Sequence, residues 1–175
     1  MTDRPPAPGG LALVEALVNT LDIETGADAL DTEDGRAAFG LTERDVSAAR
    51  ELREALRTVC LAHAGHHPPG RSTAVLDHLL ADAPLRLTVD ARGVAALRPA
   101  TDPDALLCRV ATVIAAAVAD GTWARLKACE AADCEWAYYD RSPAGRSRWC
   151  SMSVCGARAK MRAYRARRAP EGGTS

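Results

Sequence analysis

The chain has 175 residues, 47% of them hydrophobic and 26% charged, and a net charge of −1. This balance excludes wholesale disorder and suits one ordinary domain, or one with a small appendage. No uncharged apolar run approaches the roughly 18 residues of a membrane span. The near-zero charge hides an asymmetry: residues 1–120 hold 11 basic against 18 acidic residues, a balance of −7, whereas residues 121–175 hold 11 against 5, a balance of +6. Phe39 is the sole aromatic of the first 120 residues, and Trp123, Trp136, Tyr138, Tyr139, Trp149 and Tyr164 all follow. Two compositions argue for two structural units, 11–122 and 123–168, between flexible tails at 1–10 and 169–175.

The start, MTDRPPAPGG, lacks a basic stretch leading into an apolar one, so no secretory signal is read there. That places the six cysteines in a reducing cytoplasm, where spaced cysteines more often hold metal than form disulfides. Arg outnumbers Lys 20 to 2, the bias of a GC-rich bacterial genome.

In chain order, Leu11 to Leu21 reads as a helix with Leu13, Leu17 and Leu21 on one face. The acidic DIETGADALDTEDG reads as a loop. Thr42 and Asp45 form a capping-box-like start to a helix whose stripe runs through Val46, Ala49, Leu52, Leu56, Val59 and Cys60 to about His63, where GHHPPG ends it. Ser72 caps a short helix with Val75, Leu76, Leu79 and Leu80 inward. Leu85, Leu87 and Val89 then alternate with Arg86 and Thr88, and VAALRP returns, predicting one hairpin near 85–98. Asp102 and Pro103 read as N-cap and first position of a helix carrying Leu106, Leu107, Val110, Val113, Ile114, Ala117 and Val118, ended by Gly121. The fold class is therefore mainly α with a small β-hairpin, followed by a different carboxy-terminal unit.

That second unit carries the chemistry. Cys129-x4-Cys134 and Cys150-x4-Cys155 are two pairs, each closed by a short turn and separated by a hairpin-sized insert. Such pairs can set four thiolates tetrahedrally around one Zn²⁺, and four protein ligands leave no open position, so the site is structural and not catalytic. The competing reading is two disulfides or four unrelated thiols. Knuckle, hairpin, knuckle on a helix start and helix, in that order, make a treble-clef-like finger that metal holds folded. Its last helix, to Arg168, sets Arg158, Arg162 and Arg165 in one stripe beside a second with Lys160, and Ala159, Ala163 and Ala166 in a smooth small-residue one. A tetrathiolate zinc carries −2, so one reading of this charge is compensation of the metal cluster and solubility; the favoured alternative is a polyanion-binding surface.

At these residues the chain resembles the CGNR zinc-finger family. The run LKACEAADCEWAYYDRSPAGRSRWCSMSVCGARAKMRAYRAR carries the match through its paired-Cys spacing, Tyr139, Asp140 and Ser142, the RWCSM segment and the basic helix. LVNTLD (Leu17 to Asp22) and LREALR (Leu52 to Arg57) resemble the ABATE domain usually joined to this finger, a domain grouped with stress-induced transcription regulators. The resemblance implies one structural Zn²⁺ at Cys129, Cys134, Cys150 and Cys155 and a DNA-binding role for the finger. The name motif reads here Cys155-Gly156-Ala157-Arg158, so any contact made by the family's Asn is missing at Ala157.

Among the remaining residues, His63, His66 and His67 lack an evident fourth ligand, and Cys60 and Cys108 read as buried core thiols. Asn19-Thr20 reads as a helix C-cap, with a small-molecule pocket as the alternative. Asp140 is assigned to the finger's own Arg or backbone. HExxH, paired-Cys deaminase, P-loop and G-x-S-x-G signatures are absent, and no enzyme is expected. The sequence thus predicts a cytoplasmic DNA-binding regulator neutralising phosphates with Arg146, Arg148, Arg158, Lys160, Arg162 and Arg165, with the helical unit as a sensor for a small-molecule effector or as a homodimerisation unit. The alternatives are a protein-interaction module, in which the basic helix binds an acidic protein surface, and RNA binding through Trp and Tyr beside Arg.

Overall fold

Three helices lay down the core: α1 (Leu11–Val18), α3 (Val46–His63) and α5 (Leu106–Ala119), with the shorter α2 (Glu33–Ala37) and α4 (Ala74–Leu80) at the periphery. These come from a computed structural model that describes residues 4–168. Two antiparallel hairpins complete the fold, β1 (Leu85–Val89) with β2 (Ala95–Pro99), and β3 (Leu126–Ala128) with β4 (Ala137–Tyr139); α6 (Ala157–Arg168) ends it. The fold is mainly α, with a small unit that carries four cysteines at its carboxy-terminal end.

α3 starts as its sequence dictates: the Asp45 carboxylate accepts the Thr42 N–H at 2.7 Å across one 3-10 turn, satisfying a donor that the helix end leaves open. The helix packs on α1 and α4, and α1 crosses α5. That crossing is close at Gly10, where an added Cβ would lie 2.7 Å from Val113 Cγ2. Leu11, Val14, Leu17, Leu56, Leu61 and Val110 are buried between the helices.

Several expectations are corrected. α1 stops at Val18, where Asn19 caps it, and Leu21 forms a single bridge to Asp28 in place of a last helical turn. The acidic stretch is not all loop: the Thr32 hydroxyl accepts the Gly35 N–H at 3.1 Å, and Glu33 and Asp34 sit favourably in the first turn of α2. Asp102 and Pro103 precede the helix they are expected to start, because the Asp102 carboxylate accepts the Asp104 N–H in a separate turn before Leu106. Val75 lies exposed on α4. The hairpin β1–β2 forms in the register Leu87↔Leu97, but Leu87 and Val89 are exposed, since the hairpin stands off the body and only its base, Leu85, joins the small cluster of Ala83, Cys108 and Ala111.

The two compositional units share one core. Leu126, Ala128, Ala137 and Tyr139, from β3 and β4, are buried in the same cluster as α1, α3 and α5. Of the amino-terminal tail, residues 4–10 lie against this body: Ala7 is buried, its N–H bonds Glu15, and Arg141 donates to the carbonyls of Pro5 and Pro6. Residues 1–3 and the tail 169–175 lie outside the described residues.

Two arginines of α3 are buried, which the apolar stripe did not announce. Arg53 donates to both carboxylate oxygens of Asp28, at 2.8 and 2.9 Å, and to the Thr20 hydroxyl. Arg50 reaches Asp28 at 3.1 Å. Burial raises the Asp28 pKa, but the hydrogen bonds from Arg53 and Leu30 outweigh it and hold the carboxyl below its usual range. A depressed pKa contributes stability above the unfolded value of about 3.9 and loses it as pH falls through the folded value. Asp28→Asn should therefore destabilise the chain by about 2 kcal/mol at pH 7, because it leaves the buried Arg53 with only the half-exposed Glu54, 2.9 Å from its Nε, as counter-charge. Urea unfolding at pH 7 and near pH 3 checks this, with the gap between variant and wild type narrowing as the wild-type carboxyl takes up its proton.

Candidate metal centre and basic helix

Cys129 follows β3 directly, and Cys134 closes the turn that leads to β4. The turn is built by the N–H groups of Cys134 and Glu135, both donating to Ala131 O, at 2.9 and 3.0 Å. Cys150 lies where the chain returns, tied by the Glu130 N–H donating to Arg148 O at 3.0 Å. Cys155 sits in a wide helical turn, Met152–Gly156, that runs into α6. Ser151 opens this turn with its hydroxyl accepting the Val154 N–H at 3.3 Å. Gly156 allows the turn to close on Met152 and Trp149, whose side chains would lie 3.1 to 3.3 Å from an added Cβ.

The four Sγ atoms lie within 4.8 Å of one another, with 3.6 Å between Cys134 and Cys150 and 3.7 Å between Cys150 and Cys155. A tetrahedron of Zn–S bonds of about 2.3 Å has edges of about 3.8 Å, so the donors already stand at zinc spacing. No disulfide joins them. Cys129, Cys150 and Cys155 are buried, and Cys134 is half-buried. Hydrogen bonds from the Cys134 and Cys150 thiols hold Cys129 far below an ordinary thiol, while hydrogen bonding to Cys129 pushes Cys134 up to about 12 and Cys150 higher still. Four clustered thiols oppose one another's ionisation, an electrostatic cost that a divalent cation among the sulfurs reverses. Backbone N–H groups of Ala131 and Cys150 also lower the Cys129 pKa, and that of Trp136 works to lower that of Cys134. The residues fit a structural zinc.

Behind the cluster, Asp140 is fully buried. It accepts from Lys127 Nζ at 2.9 Å and from the Ser142 and Ser147 N–H groups at 3.0 and 2.9 Å. Burial raises its pKa, yet these bonds hold it well below the carboxylate range. Asp140 thus bonds the finger's own backbone, with a lysine as its cationic partner and Arg125 donating to its carbonyl. Tyr138, also buried, donates to Ser147 O at 2.7 Å.

The histidines do not converge. His63 Nδ1 meets Leu126 O at 2.8 Å and its ring stands edge-on to Trp123, while His66 lies 4.0 Å from Glu130. Cys60 and Cys108 are buried core thiols, and burial pushes the Cys60 pKa up to about 12.

Asn19 caps α1 and also does something its sequence position did not reveal. Its amide donates to Ala137 O at 3.0 Å and accepts the Ala137 N–H at 2.7 Å, pairing with β4 as a strand would. Arg57, fully buried, donates to Val18 O, Glu135 O and Glu54. The signal was present in LVNTLD and LREALR, whose polar residues lie among apolar ones.

Arg146, Arg148, Arg158, Lys160, Arg162 and Arg165 are all exposed, and no residue of α6 is buried. Arg158, Arg162 and Arg165 line one shallow groove with Val154 and Met161. Three of the six meet carboxylates: Arg148 with Glu130 at 2.5 Å, Arg158 with Glu24 at 3.3 Å and Arg162 with Asp133 at 3.7 Å. Arg146, Lys160 and Arg165 make no ion pair among the described residues. Of the aromatics beside these cations, Arg148 stacks over Trp149, and Tyr164 lies exposed on α6. Ala157, in the position of the motif Asn, is exposed at the start of α6. Elsewhere, a cleft of about 460 Å³ lies among Leu41, Leu52, Leu79, Leu106 and Leu107.

The chain matches the CGNR zinc finger family over residues 125–168. It matches the ABATE family, described as "Putative stress-induced transcription regulator", over residues 11–121. No curated protein matches it. Among the described residues, no helix is long and apolar enough to cross a membrane.

One zinc per chain is expected by metal analysis. In a thiol titration, chelation should release four reactive cysteines, with Cys60 and Cys108 reacting only on unfolding; Cys155→Ser should abolish stoichiometric zinc. Asp140→Asn should cost about 3 kcal/mol in denaturant unfolding of the zinc-loaded chain, since Lys127 then lies buried without its counter-charge.

Proposed function

Because the chain belongs to the ABATE family and carries a CGNR zinc finger behind that domain, we propose that it is a cytoplasmic, non-enzymatic regulator that binds DNA through the finger and α6. The observation that carries this reading is α6 itself. Its twelve residues include six Arg and Lys, no acid and no buried side chain, and it is anchored at its start by the last zinc ligand, Cys155. A cationic rod fixed at its start, with only two exposed ion pairs further along among the described residues, is suited to phosphate neutralisation in a groove. The carboxylates on Arg148, Arg158 and Arg162 are surface partners of small energetic weight, and phosphate oxygens can replace them. In this reading the helical unit is the sensing or dimerising part, and the leucine-lined cleft is where a small-molecule effector would sit.

One observation favours a second reading. Glu24 and Asp133 already place carboxylates on Arg158 and Arg162, as an acidic protein surface would. The two readings separate experimentally. Anisotropy of a labelled random-sequence duplex, titrated with zinc-loaded protein from about 50 to 200 mM salt, should show log K falling with a slope of about −5 against log salt if six phosphates are contacted. Joint charge reversal of Arg158, Arg162 and Arg165 should abolish that binding at unchanged zinc content. Absence of duplex binding at about 50 mM salt would reject DNA as the ligand and leave the acidic protein surface.

A further inference from the structure

Glu135 follows the zinc ligand Cys134 directly and has φ +45°, the sole positive φ outside glycine among the described residues. A side chain in this left-handed region crowds its own backbone, so the conformation persists only where its surroundings impose it. Part of these surroundings is the knuckle itself, where the Glu135 N–H bonds Ala131 O, and the rest belongs to the helical unit. Arg57, in α3, donates to Glu135 O at 2.9 Å from a fully buried position. Arg71, in the segment between α3 and α4, donates to the Glu135 carboxylate at 2.7 Å, and that carboxylate is itself buried. Two residues further on, Asn19 holds Ala137 by both amide atoms. Three side chains of the helical unit thus fix residues 135 and 137, on the far side of the ligand Cys134 from Cys129.

We propose that Arg57, Arg71 and Asn19 are positioning residues for the zinc centre, so that the helical unit sets the metal affinity of the finger by holding the Glu135 turn in its left-handed conformation. Without these contacts the turn relaxes towards ordinary φ, Cys134 Sγ moves out of the tetrahedron and the metal is held by three well-placed sulfurs. The coupling is reciprocal: zinc binding favours the arrangement of α3 and of the segment around Arg71, and anything that shifts those elements changes zinc affinity.

The test uses the full chain, zinc itself as the probe and competition with a chromophoric chelator as the readout. Arg71 is the residue to change, being partly exposed and outside the core; because Arg71→Met leaves the Glu135 carboxylate without its cationic partner, circular dichroism of the variant checks that the fold stands. Arg71→Met should weaken zinc binding about tenfold, the usual cost of losing an outer support of a metal ligand. Glycine adopts positive φ without strain, so Glu135→Gly, although it removes the carboxylate that Arg71 holds, should bind zinc within about twofold of wild type, and Arg71→Met should add less than about twofold in that background; Glu135→Ala, which removes the same carboxylate but keeps the strain, should lose about tenfold. The absorption of bound Co²⁺ supplies a second readout: Arg71→Met should perturb the tetrahedral tetrathiolate spectrum, and the double variant should match Glu135→Gly alone. Unchanged zinc affinity in Arg71→Met overturns the proposal. So does an equal loss in both backgrounds, which would mean that Arg71 acts through charge alone and not through the backbone of residue 135.

Discussion

A guanidinium removed from water must find an acceptor for its N–H groups and compensation for its charge, or the fold that buries it is not stable. Arg57 meets this requirement by joining three segments far apart in sequence: the end of α1 through Val18 O, its own helix through Glu54, and the zinc knuckle through Glu135 O. Most of the architecture depends on that arrangement. α1 and β4 can adjoin at Asn19 and Ala137 because Arg57 fixes the neighbouring residues of each, and the apolar faces of β3 and β4 enter the helical core at the same place. The junction between the units is therefore an ordered polar layer beneath a shared apolar one.

Charge is distributed with the same economy across the finger. The negative side of the metal cluster is met by backbone N–H groups, and the fully buried carboxylate, Asp140, by a buried lysine and two amides. Little of the exposed arginine is needed for either task. Arg146, Lys160 and Arg165 remain directed to solvent, and the basic surface is thus distinct from the electrostatic support of the zinc.

The legible parts of the sequence were those written in local patterns. Cysteine spacing gave the ligand set, the Thr42–Asp45 box gave the start of α3, and alternation gave the hairpin β1–β2. Patterns failed where a non-local partner decides the outcome. Alternation in β1 predicts a covered face, but whether anything covers Leu87 depends on how far the hairpin stands from the body. Arg53 and Arg57 lie beside the apolar stripe of α3, and only the positions of Asp28 and Glu135, 25 and 78 residues away, turn them into buried groups. Asn19 shows the same limit: its capping role is local and readable, whereas its pairing with Ala137 spans 118 residues.

The mounting of α6 has a mechanical consequence. A helix of twelve residues is about 18 Å long, and this one is held at its base by the turn containing Cys155, with no side chain buried along its length. It is a lever whose fulcrum is the metal. A rotation of about 5° at the base carries the far end through about 1.6 Å, roughly half the length of a hydrogen bond. Angular error among the sulfurs is thus magnified along the rod, and the aim of Arg165 and Arg168 is only as accurate as the tetrahedron at the other end.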